Sequence, residues 1–386
     1  MNAKEIYFDN SATTKPSQAV LSEILEALKK NYANASSVHK LGLKSSERIE
    51  SSRRMIASVL GCKKGEIYFT SGGTEANNLA ILGVGAKFKS KKGAKIVTTA
   101  FEHHSVLFPC KKLQNDGFEV VFLKPDETGN ISDKEILDAI DERTVLVSMM
   151  LVNNEVGSRL ALEGIKDKIS KKHSDAIFHI DAVQSFCKIP TKILKLNCDL
   201  LTVSAHKIHG PQGIGALFCS DKIKLSPTHF GGKQEKGLRP GTECTSLISG
   251  FSKAVEEGQN FEEDFIKIGM LYDKCKESVL NVDGVVVNEV LNPFPYILNI
   301  SIPGVKSEVL VNFLSINNIF VSNSSACAKG EKSHVLKAMG LPEDRIDSSI
   351  RVSFSKNNTL KEIEKFAEVF KKGVTTIKNK NTQIVI

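Results

Sequence analysis

The sequence predicts an α/β fold, with a large, mostly parallel sheet flanked by helices and a smaller α+β region after it. Three observations carry that reading. Seven short apolar runs occur at 66–70, 95–100, 118–123, 144–152, 177–181, 199–204 and 214–219. They are apolar almost throughout rather than at alternate positions, as expected of strands covered on both faces. Helix-like segments separate most of them, which supplies the crossovers that parallel strands need. After about residue 250 this regular alternation stops.

Taken in order, 17–31 carries Val20, Leu21, Ile24, Leu25 and Leu28 at helical spacing. A second helix runs to Leu60 and stops at Gly61, a C-terminal cap. The second half opens with one long helix over 252–280. Strands follow at 285–288 and 296–302, then a helix near 306–317, a strand at 350–354 and a closing helix. The final segment, 379–386, reads as a loose tail. The expected division is a large domain over 16–255 and a smaller one built from 256–386 with the N-terminal 1–15.

Composition narrows the class. Of 386 residues, 41% are hydrophobic and 25% charged, ordinary values for a globular chain. No apolar run approaches the roughly 20 residues of a membrane span, and MNAKEIYFDN lacks a signal-peptide core; a cytoplasmic setting is expected. The net charge of +8 comes from dispersed lysines without a nucleic-acid-binding signature. Eight cysteines contain no C-x-x-C pair, which argues against a structural zinc or redox dithiol and leaves no metal expected.

Ligands in such sheets sit beyond the carboxyl ends of strands, so the residues following each strand are the informative ones. After 66–70 comes SGGTEANNLA, two glycines and a threonine before a helix, suited to a phosphate. After 95–100 come His103 and His104; after 144–152, Asn153 and Asn154. The strand 177–181 ends on Asp181, with Gln184 close behind. The strand 199–204 leads into SAHKIHGPQGIGAL, which carries Lys207. A lysine amine, a buried carboxylate and a phosphate cradle together match pyridoxal 5'-phosphate, whose aldehyde takes a lysine and whose ring nitrogen takes a carboxylate. One cysteine stands apart: Cys327 lies in the polar, small-residue stretch VSNSSACAKGEKSH, where a buried structural cysteine is out of place.

These segments, with YFDNSATTKPS, NNEVG, DAVQ and RPGTE, resemble the cysteine desulfurases of the NifS/IscS type, within the class V aminotransferase family of fold-type I pyridoxal phosphate enzymes. The matches run from about residue 6 to 354. The resemblance implies that Lys207 holds the cofactor aldehyde, Asp181 the ring nitrogen and Gln184 the phenolic oxygen, while His103 stacks on the ring. Gly73, Thr74, Ser204 and His206 would hold the phosphate, joined by Thr242 from a second subunit; a homodimer with shared sites is implied. Asn154 and Arg351 would bind the substrate carboxylate, with Asn34 assisting. Cys327, on a mobile loop of about 322–332, would take sulfur from L-cysteine as a persulfide, release alanine and pass the sulfur to an acceptor protein, for iron–sulfur cluster assembly or for thiolation.

Some positions differ from the family's usual pattern. Ala33 and Ala35 stand where glycine and proline are usual, Lys233 where a third glycine is usual, and Ser324 where the cysteine loop usually has glycine. That loop is also slightly short. Two rivals remain at this level. One is another reaction on the same fold, such as a selenocysteine lyase or an aminotransferase. The other is a non-enzymatic sulfur-relay adaptor, whose mark would be the loss of Lys207, Asp181 or Cys327.

Overall fold

The computed structural model describes residues 5–172, 176–323 and 332–384. All seven expected strands form and share one sheet. Its spatial order is Ile67–Thr70, Gly215–Cys219, Leu200–Ser204, Ile177–Asp181, Thr144–Met150, Lys95–Thr99 and Glu119–Leu123. Gly215–Cys219 is antiparallel to both its neighbours, and the other pairings are parallel.

Burial explains the lack of alternation in the sequence. Ile96, Leu146, Ile177, Leu200 and Leu217 pack into one apolar cluster. Their immediate neighbours Val97, Val147, Phe178, Leu201 and Phe218 pack into another on the opposite face. Each fully buried side chain of this kind stabilises the fold by roughly 1.5–3 kcal/mol.

Local signals set the helix ends. Ser17 caps Gln18–Lys30, its hydroxyl accepting from the Val20 N–H. Lys40–Leu60 stops at Gly61, whose φ of 71° is left-handed. The expected long helix over 252–280 is instead two, Thr245–Glu257 and Phe261–Leu280, joined by Gly258–Asn260. Gly258 is a weak helix former and lies so close to Cys187 that a Cβ there would sit 2.8 Å from the cysteine's own. At the C-terminus, Leu360–Ile384 continues as helix through most of the segment read as a loose tail.

The second sheet has the order Ser322–Asn323, Ser349–Ser353, Ile297–Ser301, Val286–Val287, antiparallel throughout. Ile6–Tyr7 pairs with Ile319–Phe320, which ties the N-terminus to this second half. Among the described residues, no helix is long and apolar enough to cross a membrane.

Candidate active site

A cleft of about 560 Å³ opens where the expected strand ends converge. Ten of the singled-out residues line it: Gly73, Thr74, His103, Asn154, Asp181, Gln184, Ser204, His206, Lys207 and Arg351. They come from the strand exits of the large sheet, except Arg351, which the strand Ser349–Ser353 contributes from the other sheet.

The cleft's floor is polar and buried. Asp181 ends its strand and accepts from Asn77 Nδ2 at 2.7 Å and from the Val183 N–H at 2.9 Å. Burial pushes its carboxyl up, while these two hydrogen bonds and the Lys207 charge pull it back. Gln184 donates to the Ser11 carbonyl at 3.0 Å, and its own Oε1 is buried without a partner. Ser204 Oγ is likewise buried and unpartnered. Lys207, on the short turn Ala205–Lys207, donates to the carbonyls of Ser11 and Ala12 at 2.5 and 2.7 Å.

Those carbonyls belong to an N-terminal segment fixed from both sides. Tyr7 OH donates to the Asp9 and Thr13 carbonyls, and the Ser11 N–H donates to Ser353 Oγ at 2.9 Å. His103 caps the helix His104–Asn115, its Nδ1 accepting from the Ser105 N–H at 3.1 Å. Burial and then the Lys207 charge bring this imidazole down to about 4, so it is neutral at pH 7. His206 is held down to about 4 for the same two reasons, with Nδ1 3.2 Å from Thr13 Oγ1.

The helix start beside the cleft depends on bare backbone. Gly73 opens the helix Gly73–Phe88, and a Cβ there would meet Val183 Cγ2 at 2.7 Å. A Cβ at Gly215 would strike the Val203 carbonyl and Gly72. The opposite wall is a charge already paired. Arg351 Nη1 donates to the Asn154 carbonyl and Nη2 to Asp9 Oδ1, both at 2.8 Å, while Nε is buried without a partner.

Two expected residues lie away from the cleft. Asn34 is exposed, its Oδ1 accepting from the Ser36 N–H within its own loop, and Ala35 lines a separate hollow with Lys233. Thr242 is exposed and does not line this chain's cleft. Cys327 and Ser324 lie outside the described residues. Sequence reasoning missed Asn77, Asp9 and the Ser11 and Ala12 carbonyls. Asn77 sits inside the SGGTEANN motif, and its place one helical turn beyond Gly73 was the available signal. His104 stacks away on Phe108 and His334, with ring centroids 4.8 and 4.6 Å apart.

The residues present fit pyridoxal phosphate. Gln184 Oε1, Ser204 Oγ and Asn77 Oδ1 are buried polar atoms without partners, all on residues of the cleft, and the helix start beside them leaves no room for side chains. Buried polar atoms are ordinarily satisfied, so such a cluster marks a place for a polar guest.

Comparison with known proteins agrees. Residues 6–366 match the family described as aminotransferase class-V. The chain is 38% identical to a protein named putative cysteine desulfurase IscS 1 of Bacillus subtilis (strain 168), covering 95% of this chain and 97% of that one. It is 36% identical to a cysteine desulfurase IscS of Methanosarcina thermophila, over 97% and 93%. Among solved structures, a NifS-like protein superposes with a TM-score of 0.92 at 34% identity, covering 97% of this chain and 100% of that one. A structure titled SspA in complex with cysteine gives 0.81 at 34% identity, over 92% and 100%.

Proposed function

The chain belongs to the class-V aminotransferase family, and we propose that it is a pyridoxal-phosphate-dependent cysteine desulfurase that converts L-cysteine to L-alanine and moves the sulfur to Cys327. The observation that carries this reading is the cleft floor, where Lys207, Asp181 and Gln184 meet beside the glycine-opened helix start at Gly73. When bound, pyridoxal phosphate supplies an electron sink for charge that develops at the substrate Cα.

The chain's own residues have distinct tasks. Gly73, Thr74, Ser204 and His206 hold the phosphate, and Asp181 and Gln184 orient the ring. Arg351 exchanges its contact with Asp9 for the substrate carboxylate, a charge-assisted fork that fixes orientation. Lys207 would hold the cofactor aldehyde, and its amine is the group placed to move the proton at Cα. His103 is neutral at pH 7 and so can take up a proton beside it, becoming transiently charged, and then return it. The Cys327 thiolate attacks the substrate sulfur. As the new S–S bond forms, the Cβ–S bond breaks, its electron pair goes to Cβ, and protonation there completes the methyl group of alanine.

Division into a cofactor domain over 16–255 and a smaller domain of 1–15 with 256–386 fits the two sheets and the pairing of Ile6–Tyr7 with Ile319–Phe320. A homodimer fits the exposed apolar Leu25, Leu28, Tyr32 and Val38 and places Thr242 to serve a partner's cleft. A protein acceptor then takes the persulfide.

The test is sulfide and alanine release from L-cysteine under reductant. Lys207→Ala is expected to lose both the bound-cofactor absorbance and the activity. Cys327→Ala keeps the absorbance and loses sulfur transfer. A Cys327→Ala enzyme as active as wild type ends the persulfide route.

A further inference from the structure

Lys207 also lines a second cavity of about 30 Å³ that the reaction above does not use. Lys188 lines it together with Lys207. Lys188 is only 7% exposed, although a lysine is almost never fully buried without a partner. Among the described residues no carboxylate acts on its charge. Its amine stands instead over aromatic faces, 5.2 Å from the Tyr296 ring centroid and 6.0 Å from that of Phe294.

The backbone holds it there by design of the turn. Lys188 follows Cys187, whose φ of 54° is left-handed, and Cys187 is wedged against Gly258. The Lys188 N–H donates to the Ser185 carbonyl at 3.0 Å.

We propose that Lys188 is a positioning residue for Lys207: a second buried cation that disfavours a proton on the Lys207 nitrogen and so keeps that amine nucleophilic. Two like charges in a poorly solvated space oppose each other's protonation, and the opposition is mutual. Burial first, and the Lys207 charge second, hold the Lys188 amine down to about 7, so the opposition acts at and below about pH 7, while Lys188 still carries its proton. On the cleft side Asp181 favours the Lys207 proton and Lys188 opposes it, while His206, which faces both lysines, is held neutral. The groups around the cavity do not cancel the opposition. Asp264, from Phe261–Leu280, lies 3.9 Å from Lys356, which is itself a cation facing the same space. His209 is kept low by burial, and the Cys187 thiol and Tyr296 hydroxyl are both pushed up by it, so these three stay uncharged near pH 7.

This inference rests on the reading of Lys207 as the cofactor's lysine, and its test separates the two. In the full-length holoenzyme, the pH midpoint of the cofactor's visible absorbance reports the proton on the Lys207 nitrogen. Lys188→Gln and Lys188→Met are expected to raise that midpoint by about one pH unit. Lys188→Arg, which keeps the charge, holds it at or below the wild-type value. As a readout independent of the cofactor, the stripped protein is acetylated at a series of pH values and Lys207 modification is quantified by mass spectrometry. The neutral variants shift that profile the same way. Midpoints unchanged in Lys188→Gln and Lys188→Arg alike, with both proteins folded, overturn the proposal and leave Lys188 a packing residue. A wild-type protein without cofactor absorbance removes the function proposed above, and the acetylation profile then decides the role of Lys188 alone.

Discussion

The two sides of the cleft are built on opposite principles. The floor, at the carboxyl ends of the parallel strands, keeps buried valences open: Gln184 Oε1, Ser204 Oγ and Asn77 Oδ1 have no partner. The wall, from the second sheet and the N-terminal segment, holds its arginine charge paired, with Arg351 on Asp9 and on the Asn154 carbonyl and only its Nε left open. Open valences suit a guest that stays, because every turnover would otherwise expose them again. A closed pair suits a guest that comes and goes, because the arginine is never left buried and alone. The difference supports the reading proposed above, with the cofactor on the floor and the substrate at the wall.

The largest expected effect tests the floor. Asp181→Asn keeps the size of the side chain and one of its two acceptor oxygens but removes the carboxylate proposed to face the ring nitrogen. Turnover of L-cysteine is expected to fall by on the order of 10²–10³-fold with thermal stability nearly unchanged. Activity within a few-fold of wild type would mean that Asp181 is only a helix-side cap. The next effect tests the wall. Arg351→Ala is expected to raise KM for cysteine about 10²-fold while kcat moves much less, since the lost interaction serves binding. A pure kcat loss would place Arg351 on the cofactor side and break the contrast.

The smallest effect concerns the frame between floor and wall. Glu102 is fully buried, accepting from the Met150 N–H and Thr99 Oγ1 at 2.8 Å each, and burial pushes its carboxyl up to about 8. A raised carboxyl binds its proton in the folded state while the unfolded chain has released it. Its contribution is therefore fully present below about 4.5 and is lost as pH rises through about 8. Glu102→Gln is expected to match wild type in urea midpoint near pH 5 and to gain on it by on the order of 1 kcal/mol per pH unit towards pH 8. Parallel pH profiles for the two proteins would mean that the folded carboxyl is ionised throughout.

Much of the floor was legible in the sequence. Lys207, Asp181 and His103 stand at the exits of apolar runs, and strand ends are where an α/β sheet collects ligands. What stayed hidden comes from distant pairing. Asn77 reaches Asp181 across 104 residues and Asp9 reaches Arg351 across 342, separations that no local spacing encodes. The break at Gly258 was missed for the same reason: a helical pattern continues through 252–280, and the contact with Cys187 is what shapes the turn.

By itself, then, the sequence determined the seven-stranded sheet, its coverage on both faces and the chemistry at its carboxyl ends. Apolar runs, glycine turns and capping residues act over a few positions, so they can be read along the chain. Only the tertiary structure decided which polar atoms are left open, which charge is already paired and that Lys188 is buried beside Lys207. Those properties depend on which segments exclude water from one another, and the residues that meet there are far apart along the chain.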